Sequence, residues 1–518
     1  MYTIYMLTRR SFLQLGLAGS SLLLTRCSAQ SLPLRQSSFP SLEEGAAYTG
    51  LATSLYQDYA YDAEVEGHLP RELVGTLFRN GPGLFDRGDM RKRALLDGDG
   101  LVQAFRFNGS TVAFQSRFVR TQKYEAEERA GRFLYPTLST QAPGGLWANI
   151  FAADEIRVQA GVTVLQWQDK LYAFDEHMAP YALTPDTLET IGPDLLGLQP
   201  DQAFFSAHWK IDGRTGEWLH FGFEYGPFPK IHFVIFDKQG RLKSHRKTPL
   251  PRFVYVHDYF VSQRYQIINL QPLYVAFWGF LFGMRSMADS LRWRPARGSL
   301  LLLAPRDGSE DYIRIETDPA FFWHTINAYE QGDEIIADFV GYSNPDHFAG
   351  KNPVILALMQ GKQGEYRYPG QIRRYIIQPK RGKARQEILH AGNYEWPFMN
   401  LGLRCYPYRI CYAASPRPGE FFWSKVCRID VTTGKEQVYA FPEGVYCSEP
   451  VFVPKPGHVS NPANAEDPGW LLTEGYHGGR KKSFLAVFNE DHVADGPVAQ
   501  VWLRHHVPFS FHGWWQPA

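Results

Sequence analysis

Cysteine is scarce in this chain, and its number leaves one unpaired. There are five among 518 residues, Cys27, Cys405, Cys411, Cys427 and Cys447, and no Cys-x-x-Cys motif. That pattern argues against a disulfide framework and against a thiolate zinc site. Cys405 and Cys411 are spaced for a bond across a hairpin, a weak signal. An excess of charge is missing too: the formal net charge is +1, whereas nucleic-acid binding calls for a basic surface. No short period repeats strictly, so a solenoid is not expected. Long amphipathic helix patterns are also few.

What is abundant is aromatic residues, at 15%, with 46 glycines and 35 prolines. That mix favours many short strands joined by tight turns. Residues 162–174, VTVLQWQDKLYAF, read as two apolar runs around a Gln-Asp turn, and GEWLHFGFEYG, KIHFVIFDKQGRLKSH, DEIIADFVGY and RICYAAS repeat the theme. Length alone suggests about three domains, but all-β chains often run long as one unit. A closed all-β form that scales to this length is the β-propeller. At about 40–45 residues per blade, seven blades use roughly 300 residues, leaving the rest for loops or a cap over one face.

The first thirty residues differ. Arg9 and Arg10 precede Ser-Phe-Leu, and an apolar stretch follows to Leu24. That order is expected of an export signal of the twin-arginine kind, placing the protein in a periplasm or thylakoid lumen. A cytoplasmic protein is expected if the segment is not a signal. Arg26 spoils a lipoprotein box at Cys27. Residues 31–45 read as a linker, 46–518 as a single domain and 455–469 as a surface loop.

One interior segment breaks the strand pattern. An apolar run from Leu273 to Met284 is followed by Arg285, Arg292, Arg294 and Arg297. It is shorter than the roughly 20 residues a bilayer requires. It reads either as a segment lying in a membrane interface or as a buried helix.

The chain has sixteen histidines. His68, His347 and His492 fall in polar turn sequences and are expected to be solvated. His220 and His232 sit in alternating runs and read as ordinary strand residues. His208, His257, His324 and His512 remain, each in an aromatic setting beside an expected turn, where rigid β scaffolds present functional groups. They lie too far apart for a local motif, but suit one ligand per blade converging on a propeller axis, a metal site of imidazoles. Metal-binding imidazoles need carboxylate or carbonyl partners on their other nitrogen. Glu176, Glu395 and Glu449, each beside apolar residues, are the candidates. Asp97-Gly98-Asp99-Gly100 is not a calcium loop, because Val102 and Asn108 stand where an EF-hand needs Gly and Glu; a turn between strands is expected.

The segments GTLFRNGPGLF, DGDGLVQAFRF, RFVRTQKY, AHWKIDGRTGE, VHDYFVS, HTINAYE, EPVFVPKPG and HHVPFSFHGWW together resemble the carotenoid cleavage oxygenases, in particular their cyanobacterial apocarotenoid-cleaving branch. The resemblance runs from about residue 50 to the C-terminus. It implies a seven-bladed β-propeller with a dome of loops and helices over an axial site. It implies one Fe(II) on His208, His257, His324 and His512, oriented through Glu176, Glu395 and Glu449. The reaction implied is cleavage of a conjugated C=C bond of an apocarotenoid or carotenoid by O2, giving retinal-like aldehyde or ketone products. A hydrophobic polyene substrate, peripheral membrane contact through 273–284 and a monomer are expected with it.

Two alternatives remain: a stilbene-cleaving dioxygenase, for which Lys123-Tyr124 would be a phenol-binding pair unless they form a solvated turn, and a membrane-docked protein that binds or isomerises carotenoids without cleavage. The chain departs from the family pattern at Trp209, where proline follows the first histidine. It departs again at Gln159–Thr163, where Val162 replaces a metal-facing threonine, and at Asp175, where tryptophan precedes the glutamate.

Overall fold

The structure, a computed structural model, describes residues 39–518 except 152–157, 226–227, 310, 351–352, 363–366 and 459–467. The export-signal reading, Cys27, most of the linker and most of the 455–469 loop therefore lie outside the described residues.

Seven antiparallel sheets of four or five strands form the seven blades of a β-propeller. The local reasons are legible. Val112–Phe118 alternates strictly between buried and half-exposed positions, the period of a strand with one face in the core. Ser299–Pro305 is buried throughout, as a strand covered on both faces must be. The hairpin joining Val164–Trp167 to Lys170–Ala173 turns where expected, with Gln168 at φ 55°. Gly100 is required where the second blade approaches the first: a Cβ there would lie 2.3 Å from the Ala160 carbonyl oxygen.

Both ends of the described chain close the ring. The C-terminal strand, His512–Pro517, pairs with Val74–Leu84, from Gly75↔Pro517 to Asn80↔His512. It forms the innermost strand of the first blade. Near the other end, the second strand of the described chain, Glu64–Gly67, adds to the edge of the last blade beside Ala499–Trp502. Sequence-distant segments are thus joined by ladder hydrogen bonds, which leaves no open seam.

Cys405, Cys411, Cys427 and Cys447 are all buried and free, so the Cys405–Cys411 pairing does not form. The 273–284 run is neither one helix nor wholly buried. Leu273–Val275 is a strand paired with Leu291–Trp293, and only Phe277–Leu281 is helical. Trp278 and Met284 are 60% and 57% exposed. Trp278 stacks on Phe282, ring centres 6.0 Å apart, and stays largely in solvent.

Lys123 is not in a solvated turn. It lies on the helix Gln122–Ala130, fully buried, and bonds Asp99 at 2.6 Å and Glu127 at 2.8 Å. The turn at Asp97–Gly100 is a brief 3-10 turn running straight into the strand Asp99–Asn108. Its aspartates serve the cap: Asp97 accepts from Ser139 N at 2.8 Å and Thr140 Oγ1 at 2.7 Å, while Asp99 holds Lys123. The phenol-binding role considered for Lys123 is removed with this, since its ammonium is already held by two carboxylates.

Candidate metal centre

His208 precedes the inner strand of the third blade, Lys210–Ile211, and His257 precedes that of the fourth, Phe260–Val261. His324 lies inside the inner strand of the fifth, Phe321–Gln331, and His512 opens that of the first. The expectation of a turn beside His324 is therefore corrected: it lies in mid-strand. It sits at a register break between Phe322 and Thr325, and a bulge re-aims a strand side chain much as a turn does. Glu395 and Glu449 stand beside similar breaks, in the sixth and seventh blades. Glu176 follows the strand Lys170–Ala173 of the second. Every blade thus contributes a histidine or a glutamate.

The four histidines are buried, and each offers one ring nitrogen within 4.8 Å of the others. Three of the outer nitrogens are engaged by carboxylates. His257 Nδ1 donates to Glu176 at 2.5 Å, and His324 Nδ1 and His512 Nδ1 donate to Glu395 and Glu449 at 2.7 Å each. Those carboxylates are held in turn: Tyr255 Oη donates to Glu176 at 3.2 Å, Tyr342 Oη to Glu395, and Gly513 N to Glu449 at 2.8 Å. Among the described residues His208 has no carboxylate partner.

The inner nitrogens test the fit of a metal. His324 Nε2 and His512 Nε2 are buried with no hydrogen-bond partner, and His208 Nε2 and His257 Nε2 meet only each other, at 2.9 Å. Buried polar atoms are almost always satisfied. Four convergent imidazole nitrogens with no partner outside their own group, on rings of which three are fixed from behind by carboxylates, have the donor set of a divalent transition metal. Burial, then the neighbouring imidazoles, holds His208 and His512 well below the usual histidine pKa, so both stay neutral, the form that binds metal. Burial pushes the Glu449 carboxyl up to about 7 against the opposing pull of Arg79.

Above the histidines lies a narrow cavity lined by Val162, Trp323, Trp396, Trp423, Phe509 and Phe511 among others. Trp396, at φ 56°, stacks near-parallel on Phe511 and lies 5.0 Å from His324 and 5.2 Å from His512, ring centre to ring centre. His347 also lines this cavity, which corrects the solvated reading. Its Nε2 accepts from Trp323 Nε1 at 2.8 Å, and burial drives its pKa down to about 3. The Asp-His turn motif gave no hint of this. The lining aromatics were visible only as a compositional surplus. His220 and His232 are structural, as expected: Trp218 Nε1 donates to His220 Nδ1 at 3.2 Å, and His232 bonds Glu224 at 3.0 Å.

Residues 53–517 match the retinal pigment epithelial membrane protein family, RPE65. The chain is 31% identical to the apocarotenoid-15,15'-oxygenase of Synechocystis sp. over 89% of its own length and 94% of that protein's. This chain belongs to the RPE65 family of carotenoid cleavage oxygenases. The cobalt-substituted crystal structure of the Synechocystis enzyme superposes with a TM-score of 0.84 at 30% identity, covering 92% of this chain and 99% of that one. An isoeugenol monooxygenase of Pseudomonas nitroreducens is 27% identical over 88% of this chain and 95% of that protein. Against the family pattern, Asp175 accepts from the backbone of Gln159 and Glu176 and so ties the 159–163 turn to the glutamate that orients His257.

Proposed function

We propose that this chain is a non-haem Fe(II) dioxygenase that cleaves a conjugated C=C bond of an apocarotenoid or carotenoid, giving two carbonyl products. The observation that carries the reading is the floor of four convergent, buried imidazoles under an aromatic slot. His208, His257, His324 and His512 hold the metal; Glu176, Glu395 and Glu449 fix the tautomer of three of them. Fe(II) in such a site supplies the electrons that make O2 reactive toward a polyene.

The rest belongs to the protein. Trp323, Trp396 and Phe511 hold a flat, rigid chain over the imidazoles and keep water away from them. Their π faces stabilise positive charge that develops on the polyene. No proton transfer is required: O2 adds both atoms across the bond. Among the described lining residues, the Tyr342 hydroxyl is taken by Glu395 and His347 Nε2 by Trp323, and most of the wall around them is aromatic or aliphatic. This favours the polyene over a stilbene.

Incubating the iron-loaded protein with a panel of apocarotenals and a hydroxystilbene, with products identified by mass, tests this. An apocarotenal is cleaved to two carbonyl products with O2 consumed, and the hydroxystilbene turns over at least about a hundredfold more slowly. Faster stilbene cleavage, or bound pigment without O2 uptake, overturns the reading.

Residues 46–518 act as one domain, a monomer exported behind the 1–30 signal. Among the described residues no helix is long and apolar enough to cross a membrane. Contact with the bilayer is instead peripheral, through Leu146, Trp147, Trp278 and Met284, all exposed. Their two segments are tied together where Gln141 Nε2 donates to the Gly283 carbonyl at 2.7 Å. Arg285, Arg294 and Arg297 flank them, exposed, as anionic headgroups would require. The double variant Trp147→Asp/Trp278→Asp is expected to lose at least about tenfold in partitioning onto anionic vesicles, measured by co-sedimentation, with its iron content unchanged.

A further inference from the structure

The four histidines divide two cavities. Along two inner strands the residue before the histidine lines the aromatic slot and the residue after it lines a second chamber: Trp323, His324, Thr325, and Phe511, His512, Gly513. The second chamber therefore lies on the propeller axis at the far side of the imidazoles. It holds about 50 Å3, enough for a few waters or one small molecule. Its lining differs in kind: beside Trp209 and Phe398 it carries the polar and charged side chains of Thr163, Lys210, Asp258, Thr325, Arg404 and Glu449.

The charged groups there are matched, with one exception. Lys210 Nζ bonds Asp258 at 2.8 Å and Thr325 Oγ1 at 2.9 Å. Asp258 also accepts from Thr325 N at 2.8 Å and Oγ1 at 2.7 Å. Glu449 is taken by His512 and Gly513, with Arg79 at 3.6 Å behind it. Arg404 alone is left over. Its Nε is buried without a hydrogen-bond partner, and among the described residues no carboxylate pairs with it. The guanidinium lies 5.7 Å from the centre of the Trp209 ring. That ring is fixed by its Nε1 bond to the Val164 carbonyl at 3.2 Å and by an edge contact with Trp514, centroids 5.1 Å apart.

A half-buried guanidinium whose Nε is left unpaired, set against an aromatic face, suits a planar oxyanion held through a two-pronged bond. We propose that the axial chamber is a binding site for a small planar oxyanion, a monocarboxylate or bicarbonate, held by Arg404 on the side of the histidines away from the polyene. Its position under the metal rests on the four-histidine reading; the anion contact itself rests on Arg404 alone. Such a ligand reaches the site without competing with the polyene, so it alters turnover and leaves the polyene KM unchanged.

The test is calorimetric titration with formate and, separately, bicarbonate, with chloride as a spherical control. It uses the iron-loaded protein and the same protein after chelation. Saturable formate or bicarbonate binding is expected in both, with the Kd raised about tenfold or more in Arg404→Gln and less in Arg404→Lys, which keeps the charge but loses the fork. Absence of binding in the wild-type protein overturns the proposal without recourse to any variant. So does binding that is lost on chelation but indifferent to Arg404→Gln, which places the anion on the metal, and so does competition with the polyene, which places it in the slot. Binding that survives chelation, together with no polyene cleavage by the iron-loaded protein, would leave the anion site standing and the oxygenase reading fallen.

Discussion

Replacing His512 by alanine is expected to strip the metal from this protein, while replacing His505 leaves it in place. His512 opens the last strand, and its Nε2 is a buried nitrogen with no partner in the protein. Its loss removes one of four imidazoles and leaves Glu449 buried with no imidazole to receive. The expected effect is a fall of at least about a hundredfold in metal affinity, beyond what loss of a supporting residue alone costs. His505 is the more conspicuous residue in the sequence, being half of a His-His pair. It lies outside the site, stacked on Tyr59 with ring centres 3.7 Å apart and within 3.1 Å of the Tyr61 hydroxyl. Metal content after exhaustive dialysis decides between them. Equal iron in wild type and His512→Ala would refute the axial site. The point variant is preferable to truncation, because removing the final strand also opens the first blade.

The second large effect is expected at Arg79, and it is one of stability. This side chain is wholly buried and joins three segments. It donates to Ser448 Oγ at 2.7 Å, the Glu449 carbonyl at 3.1 Å, Ser510 Oγ at 3.0 Å and the Phe511 carbonyl at 3.3 Å. Glu449 and Glu474 each approach it at 3.6 Å. Arg79→Met fills the volume but leaves two buried carboxylates without their cation and several buried acceptors without a donor. Breaking one partner out of a buried ion pair costs about 3–5 kcal/mol, and that loss is expected in the unfolding free energy from urea titration. Arg79→Lys is expected to fall between, since an ammonium cannot reach the same acceptors as the planar fork. A loss under about 1 kcal/mol for Arg79→Met would show that the network is not fully desolvated. Because Arg79 bears on Glu449, which orients His512, the Met variant should also hold iron less tightly.

Arg79 marks a limit of sequence reading. It stands in an apparently ordinary strand, Val74–Leu84, in the stretch Phe-Arg-Asn, and nothing local says that its charge is buried. Lys123 and His347 show the same limit from the other side. Lys123 stands beside Arg120 and Gln122, and His347 beside Asp346, in sequences that look solvated. Lys123 is buried because Asp99 arrives from the first blade, and His347 because Trp323 donates to it from the fifth. Burial of a polar group depends on whether distant segments bring it a partner, and a single strand or turn carries no record of that.

The strand alternation, the hairpin turns and the absence of helical periodicity were sufficient for an all-β propeller. Six of the sixteen histidines have apolar or aromatic neighbours, and an expected turn beside His208, His257, His324 and His512 set these four apart from His220 and His232. These are properties of nearest neighbours along the chain, where period and turn chemistry act. Convergence of the four imidazoles to within 4.8 Å, the pairing of three with their glutamates, and the separation of a dry slot from a charged chamber were decided only when the ring of blades closed. Closure fixes which inner strands face one another, and bulges at His324, Glu395 and Glu449 then turn those side chains to the axis.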